Sequence, residues 1–337
     1  MSDLLMLMAQ LTAPEPLNGP NPDVDIAPMA KAAVDAVSQL EQAVPQPAIQ
    51  GDMALTPEFS REVAARQRQK LLRLQQTARR PEPTAFATTP RAVEVARRQP
   101  VAVTGPKPVS GPQLFEQRWA ALQSGSLYTR VSPDSFHGKW SNATYQPTYA
   151  EWKGLLKQEA SAIAAGQGNN RLTVVIGDSL SMWLPPEMLP RDRFWLNQGI
   201  SGDTTGGILQ RLSVFANTNP DTIHLMAGVN DLKNGASDQE ILTNLHQIMA
   251  RLRQQHPTAR VVVHSILPTR WENIPSKRVR SLNTRIAQLT DYHQLDYLDL
   301  QPSFSNDTGN LRQDLTTDGL HLNRLGYQVW QLALLQV

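Results

Sequence analysis

From Leu172 to the C-terminus, short apolar runs alternate with longer segments of helical periodicity, and this alternation restricts the fold more than any other feature of the chain. Strands are predicted at Leu172 to Ile176, Phe194 to Leu196, Thr222 to Met226, Arg260 to Ile266 and Tyr297 to Leu300. Helical spacing is found between them at Thr204 to Ala216, Ser237 to Gln255 and Ser276 to Tyr292, and after them at Arg324 to Leu335. A helix between two strands brings the second back parallel to the first, so the reading is an α/β fold with a largely parallel five-stranded sheet. Ser237 and Glu240 have capping-box spacing ahead of Ile241, Leu242 and Leu245, and Pro257 stands just past the end of that helix.

The first third of the chain cannot build such a domain. Residues 1–112 hold 15 of the 25 prolines but only two of the 20 aromatic side chains, Phe59 and Phe86. A segment this poor in large apolar groups does not offset the entropy of ordering it, so residues 1–110 are expected to form a largely disordered, Pro/Ala/Gln-rich tail. One basic helix is predicted near 57–80, with Thr56 as N-cap and Pro57 at the first helical position; Thr56 to Arg80 carries seven Lys or Arg against two Glu. The partner of this tail is left open. Residues 111–169 read as a brace packed on the domain of residues 170–337, with amphipathic helices at Gln113 to Gln123 and Thr148 to Ala165 and an irregular aromatic stretch between them. Trp140 or Tyr145 from that stretch is an alternative candidate for a lid.

The formal net charge of +2 is divided almost evenly between the tail and the rest, which argues against a nucleic-acid partner or an anionic-membrane footprint. The absence of cysteine excludes disulfides, thiolate metal sites and thiol nucleophiles. Leu4 to Leu11 is too short to span a bilayer and follows Asp3 instead of a positive leader, so no integral membrane segment and a cytoplasmic location are expected.

Four short blocks follow the predicted strands: Gly177-Asp178-Ser179-Leu180, Gly199-Ile200-Ser201-Gly202-Asp203, Gly228-Val229-Asn230-Asp231 and, after a loop, Asp318-Gly319-Leu320-His321. The carboxyl edge of a parallel sheet is where open α/β folds place ligands, so the four should gather there. Ester cleavage needs a nucleophile, a base, a group that orients the base, and donors for the oxyanion. Ser179 is a nucleophile exposed by a turn at Gly177. The three-residue spacing of Asp318 and His321 lets the carboxylate reach Nδ1 and leaves Nε2 free for the serine. The backbone N–H groups of Ser179 and Gly202 and the side-chain amide of Asn230 are candidate oxyanion donors, Gly202 through the close approach that a missing Cβ allows. Taken singly each has an ordinary explanation, as an N-cap serine or a turn residue. Ser181 stands where the Gly-x-Ser-x-Gly elbow of α/β-hydrolases needs a second glycine, so a different serine hydrolase family is required.

Together the blocks resemble those of the SGNH hydrolases, also called the GDSL esterase/lipase family, over about residues 170–337, and are most similar to its small single-domain esterases. The resemblance places Ser179 at the family's nucleophile, Gly202 and Asn230 at its further oxyanion donors, and His321 and Asp318 at its base and orienting acid. It implies a three-layer α/β/α sandwich with a flavodoxin-like sheet, and hydrolysis through an acyl-enzyme without metal or organic cofactor.

The expected activity is cleavage of small-molecule carboxylic esters, short-chain acyl or O-acetyl esters foremost. Met182, Trp183, Leu232, Arg270 and Trp271 follow strand ends and are candidate walls of the substrate pocket. Two alternatives use the same sequence: an acyltransferase built on the same residues, and a binding module in which the site is idle.

Overall fold

The computed structural model describes residues 105–334. The predicted basic helix near 57–80 and the tail of residues 1–104 lie outside the described residues, as does Leu335.

Five strands form one sheet: β1 (Leu172–Gly177), β2 (Phe194–Gly199), β3 (Thr222–Met226), β4 (Arg260–His264) and β5 (Asp296–Leu298). All pair in parallel, in the order β2-β1-β3-β4-β5. This is a doubly wound, flavodoxin-like arrangement, in which the strand order reverses between β1 and β3 and opens a crevice at their carboxyl ends. β1 is buried at every residue, as a central parallel strand covered on both faces must be.

Before the sheet come α1 (Gly111–Gln123), the short α2 (His137–Trp140) and α3 (Tyr149–Gly166). Within it come α4 (Ser179–Met182), α5 (Thr205–Arg211), α6 (Val229–Lys233), α7 (Asp238–Gln255) and α8 (Ser276–Tyr292), and after it α9 (Gln301–Phe304) and α10 (Arg324–Leu334). α5 packs on α7, and α7 on α8, to form one helical layer. On the opposite face Tyr327 and Trp330 of α10 share a core with Val175, Leu180, Trp195, Met226 and Phe304. The result is the three-layer α/β/α sandwich expected from the sequence.

Several boundaries differ from the sequence reading, each for a physical reason. β2 continues three residues past Leu196, through Asn197 and Gln198, because these polar side chains are buried with partners: Asn197 Nδ2 donates to Ser181 O at 2.7 Å and Gln198 Nε2 to Leu156 O at 3.3 Å. β4 stops at His264 because the Asn283 side chain takes over the backbone of Ile266, accepting from its N–H and donating to its carbonyl, both at 2.8 Å. At α7, Ser237 Oγ accepts from Glu240 N–H at 3.1 Å but the return half of the capping box is not formed. The full box occurs instead at α3, between Thr148 and Glu151. The helix predicted from Thr204 tightens into a 3₁₀ turn at Leu212–Phe215.

β2 is an edge strand, and its outward carbonyls are taken by residues that precede the sheet: Thr129 Oγ1 donates to Trp195 O at 2.7 Å and Arg118 Nη2 to Asn197 O at 2.8 Å. Capping an edge in this way satisfies buried carbonyls that have no neighbouring strand. Leu114 of α1 and Trp152, Leu155 and Leu156 of α3 then share a core with Met182 and Ile200. Trp140 belongs to the interior at 2 % exposure, its indole N–H bonded to Ser135 O, so it is no lid. Tyr145 is exposed and donates to Glu151.

Candidate active site

The first block lies at the end of β1. Asp178 caps α4 by accepting from Leu180 N–H at 2.9 Å, which starts the helix at Ser179 and points its hydroxyl into the crevice at the strand-order reversal. Gly177 does not supply a positive φ for this turn. It is glycine because a Cβ there would overlap Ser181 Oγ and Met226 O. Gly202 is the reverse case: its φ of +78° is a left-handed conformation, and a Cβ there would meet nothing within 4 Å. Among the described residues no backbone carbonyl accepts from Gly202 N–H or Ser179 N–H.

The second and third blocks are tied to each other and to the first. Asn230 Nδ2 donates one proton to Asp203 O at 3.0 Å, which orients the amide and leaves its other proton free. Asp231 accepts from Thr205 N–H at 2.9 Å and Thr205 Oγ1 at 2.5 Å. Arg211, itself buried, bonds Asp203 Oδ2 at 2.6 Å and Gly177 O at 3.1 Å, so one guanidinium joins the first block to the second. Sequence reasoning missed Arg211. Its signal was weak but present: a cation at the end of α5 between the buried Ile208 and Leu212, where an unpaired charge would be costly.

The fourth block lies in the loop before α10. Asp318 Oδ1 accepts from the backbone N–H of Leu320 at 3.0 Å and His321 at 2.7 Å, and Oδ2 is 2.6 Å from His321 Nδ1. His321 Nε2 is in turn 3.2 Å from Ser179 Oγ. A proton on Nδ1 satisfies both contacts and leaves Nε2 as an acceptor. Burial pushes the Asp318 carboxyl up, but its bonds from the His321 ring and from the two backbone N–H groups outweigh this and hold it below the usual range. Buried Asp178 goes the other way, pushed up to about 7 by desolvation against the Leu180 N–H bond, with Asp203 and Asp231 adding to the rise. Its Oδ2 has no hydrogen-bond partner.

The candidate wall residues separate into two groups. Met182 and Leu232 are each 2 % exposed, so they fill the interior instead of facing the crevice. Trp183 is half-buried between the two cores and, with Met182, borders a cavity also lined by Leu114, Tyr128 and Pro186. Arg270 and Trp271 clasp the fourth block: Arg270 N–H donates to Gly319 O at 2.8 Å and Trp271 Nε1 to Asp318 O at 3.2 Å. Lys233, at the end of the Asn230 helix, sets its ammonium 5.4 Å from the Trp271 ring.

Other histidines pair away from the crevice. His224 and His264 are buried 3.0 Å apart beneath the sheet, and His246 and His293 meet at 2.9 Å between α7 and α8. Among the described residues no group of three or more His, Cys, Asp or Glu side chains is arranged to hold a metal ion, and no helix is long and apolar enough to cross a membrane.

Comparison with known proteins places this geometry. The bovine platelet-activating factor acetylhydrolase IB subunit alpha1 is 30% identical over 165 residues, covering 46% of this chain and 69% of that protein. Its counterpart in Rattus norvegicus is 31% identical over 162 residues, with the same coverage. Among solved structures, a Streptococcus pneumonia protein described provisionally as a platelet activating factor superposes with a TM-score of 0.51 at 24% identity, covering 56% of this chain and 92% of that one; it shares the fold. Residues 161–329 match the GDSL-like Lipase/Acylhydrolase family over half of the sequence, and with the strand order and the four blocks described above the chain belongs to that family.

Proposed function

We propose that this acylhydrolase cleaves short-chain carboxylic esters, O-acetyl esters among them, through an acyl-enzyme on Ser179. The observation that carries the reading is the continuous chain from Ser179 Oγ to His321 Nε2 at 3.2 Å and from His321 Nδ1 to Asp318 Oδ2 at 2.6 Å. His321 takes the serine proton as Oγ attacks the carbonyl carbon, then returns it to the departing alcohol; Asp318 holds the ring and stabilises the imidazolium. The N–H groups of Ser179 and Gly202 and the free proton of Asn230 Nδ2 bind the oxyanion. Water, activated by the same histidine, releases the acid.

The choice of a short acyl group is supported by the bovine relative, whose name specifies an acetylhydrolase. No metal is required by this chemistry.

A panel of p-nitrophenyl esters of increasing chain length, run on the wild type and on Ser179→Ala, tests the reading. Turnover should be greatest for acetate and fall by a factor of about 10⁴ or more in the variant. Turnover that survives in Ser179→Ala removes the nucleophile assignment. A wild type that turns over no ester and takes up no fluorophosphonate probe is the result that favours an idle binding module.

A further inference from the structure

We propose that the buried Arg118–Glu159 pair, whose two residues both precede the family region, is a positioning device for the reaction: it fixes Asn197, and Asn197 sets the spacing between Ser179 and the oxyanion turn at Gly202. The proposal rests on the esterase reading above and concerns residues that reading does not use.

The pair is bidentate, with Arg118 Nε 3.0 Å from Glu159 Oε1 and Nη2 2.5 Å from Oε2, at side-chain exposures of 0 % and 1 %. The guanidinium lies over the Tyr128 ring, 4.4 Å from its centroid. Stability does not by itself explain such a pair, since apolar residues of similar volume commonly serve a buried site as well or better. What apolar residues cannot supply is direction. Arg118 Nη2 also donates to Asn197 O at 2.8 Å, fixing the backbone of β2 two residues before its end.

From there the Asn197 side chain works in both directions. Its Nδ2 donates to Ser181 O at 2.7 Å, within the four-residue helix that begins at Ser179, and its Oδ1 accepts from Gly199 N–H at 2.9 Å, three residues before Gly202. The two backbones touch at this point, because a Cβ on Gly199 would overlap Met182 N. One amide therefore staples the nucleophile helix to the strand that leads to the oxyanion turn. Displacement of either by about 1 Å costs on the order of 100-fold in rate. Arg118 and Glu159 fall outside residues 161–329, so this staple is secured by residues that precede the matched region.

The test uses full-length Arg118→Met/Glu159→Leu and Asn197→Ala, with Ser179→Ala as control, and reads melting temperature, kcat, KM and the rate of fluorophosphonate labelling. In the double variant both charges are gone, so it should melt close to or above the wild type while kcat and labelling rate both fall roughly 10-fold and KM changes by less than about 3-fold. Asn197→Ala should lower kcat and labelling by about 10-fold to 100-fold with KM again little changed. A stable double variant with wild-type kcat and labelling rate overturns the proposal, since a purely structural pair predicts that result. Should the double variant fail to fold, Asn197→Ala decides alone: kcat within about 2-fold of wild type overturns the proposal. Failure of the esterase reading is separate, because it shows as turnover in Ser179→Ala or as an unlabelled wild type.

Discussion

The two halves of the candidate site are held in place by different means. On one side Ser179 and Asn230 are 7% and 6% exposed, joined through Asp203, Arg211, Thr205 and Asp231 in a buried network that spans three strand ends. On the other, the His321 and Asp318 side chains are 41% and 46% exposed and are positioned by a tight local turn and the clasp of Arg270 and Trp271. Groups that bind a developing oxyanion gain from a dry, rigid setting, where each hydrogen bond is stronger. The His321–Asp318 pair is instead held by short-range bonds within one exposed turn, where the His321 carbonyl accepts from Thr317 N–H at 3.0 Å and from Thr316 Oγ1 at 2.7 Å.

The contrast can be broken most sharply at Asp318. Asp318→Asn should lower kcat by about 10⁴-fold, because the amide no longer enforces a proton on Nδ1, while the fold is kept with a loss of no more than about 2 kcal/mol in unfolding free energy. A variant that loses its fold along with its rate would show that the exposed turn is structural. Arg211→Met should act in the opposite sense. It leaves Asp203 buried without its cation, so chemical denaturation should register a loss of about 3–5 kcal/mol; an unchanged denaturation midpoint would refute the role given to the network.

Acid titration sharpens the same comparison. Trp330 Nε1 donates to His264 Nδ1, so His264 Nε2–H must donate to His224 Nδ1, and neither ring has room for another proton. Burial lowers His224 to about 3 and His264 well below the usual imidazole range. The folded-state values lie below the unfolded value of about 6.5, so the unfolded chain binds more protons: stability is fully present above about pH 6.5 and is lost as pH falls toward 3. Urea midpoints should therefore decline below pH 6.5, with a slope of up to about 1.4 kcal/mol per pH unit for each ring, and His224→Gln should flatten the curve. An unaltered slope in that variant would exclude the pair as the cause. The smallest effect is expected at Trp271→Phe, which loses one neutral hydrogen bond to Asp318 O, worth about 0.5–1.5 kcal/mol, and should reduce kcat only about 3-fold to 10-fold and lower the melting temperature by no more than about 5 °C.

Legibility in the sequence follows how far apart the interacting residues are. The strands and the four blocks can be located because each block directly follows an apolar run or closes a short local turn, as Asp318 and His321 do. The extension of β2 through Asn197 and Gln198 is hidden, because polar residues in a strand signal an end unless their buried partners at Ser181 and Leu156 are known. Arg211 and Arg118 are hidden for the same reason: a lone arginine on an otherwise apolar helix face says that some carboxylate is near, but not which. The glycines differ from their sequence reading in conformation. That reading credits Gly177 with a sharp turn, and it serves close packing; it credits Gly202 with the close approach that a missing Cβ allows, and that residue also adopts a left-handed φ. Composition cannot separate those two uses of the same residue. Met182 and Leu232 follow strand ends, as crevice residues do, yet their short helices turn them into the interior.

The covering of β2 has a practical consequence. A fragment cut at residue 161, where the family match begins, would strip Arg118 and Thr129 from the outer carbonyls of β2 and leave a bare, hydrogen-bond-hungry rim. Such rims recruit strands from neighbouring molecules, so the shortened protein would be expected to self-associate and precipitate even with every reactive residue intact.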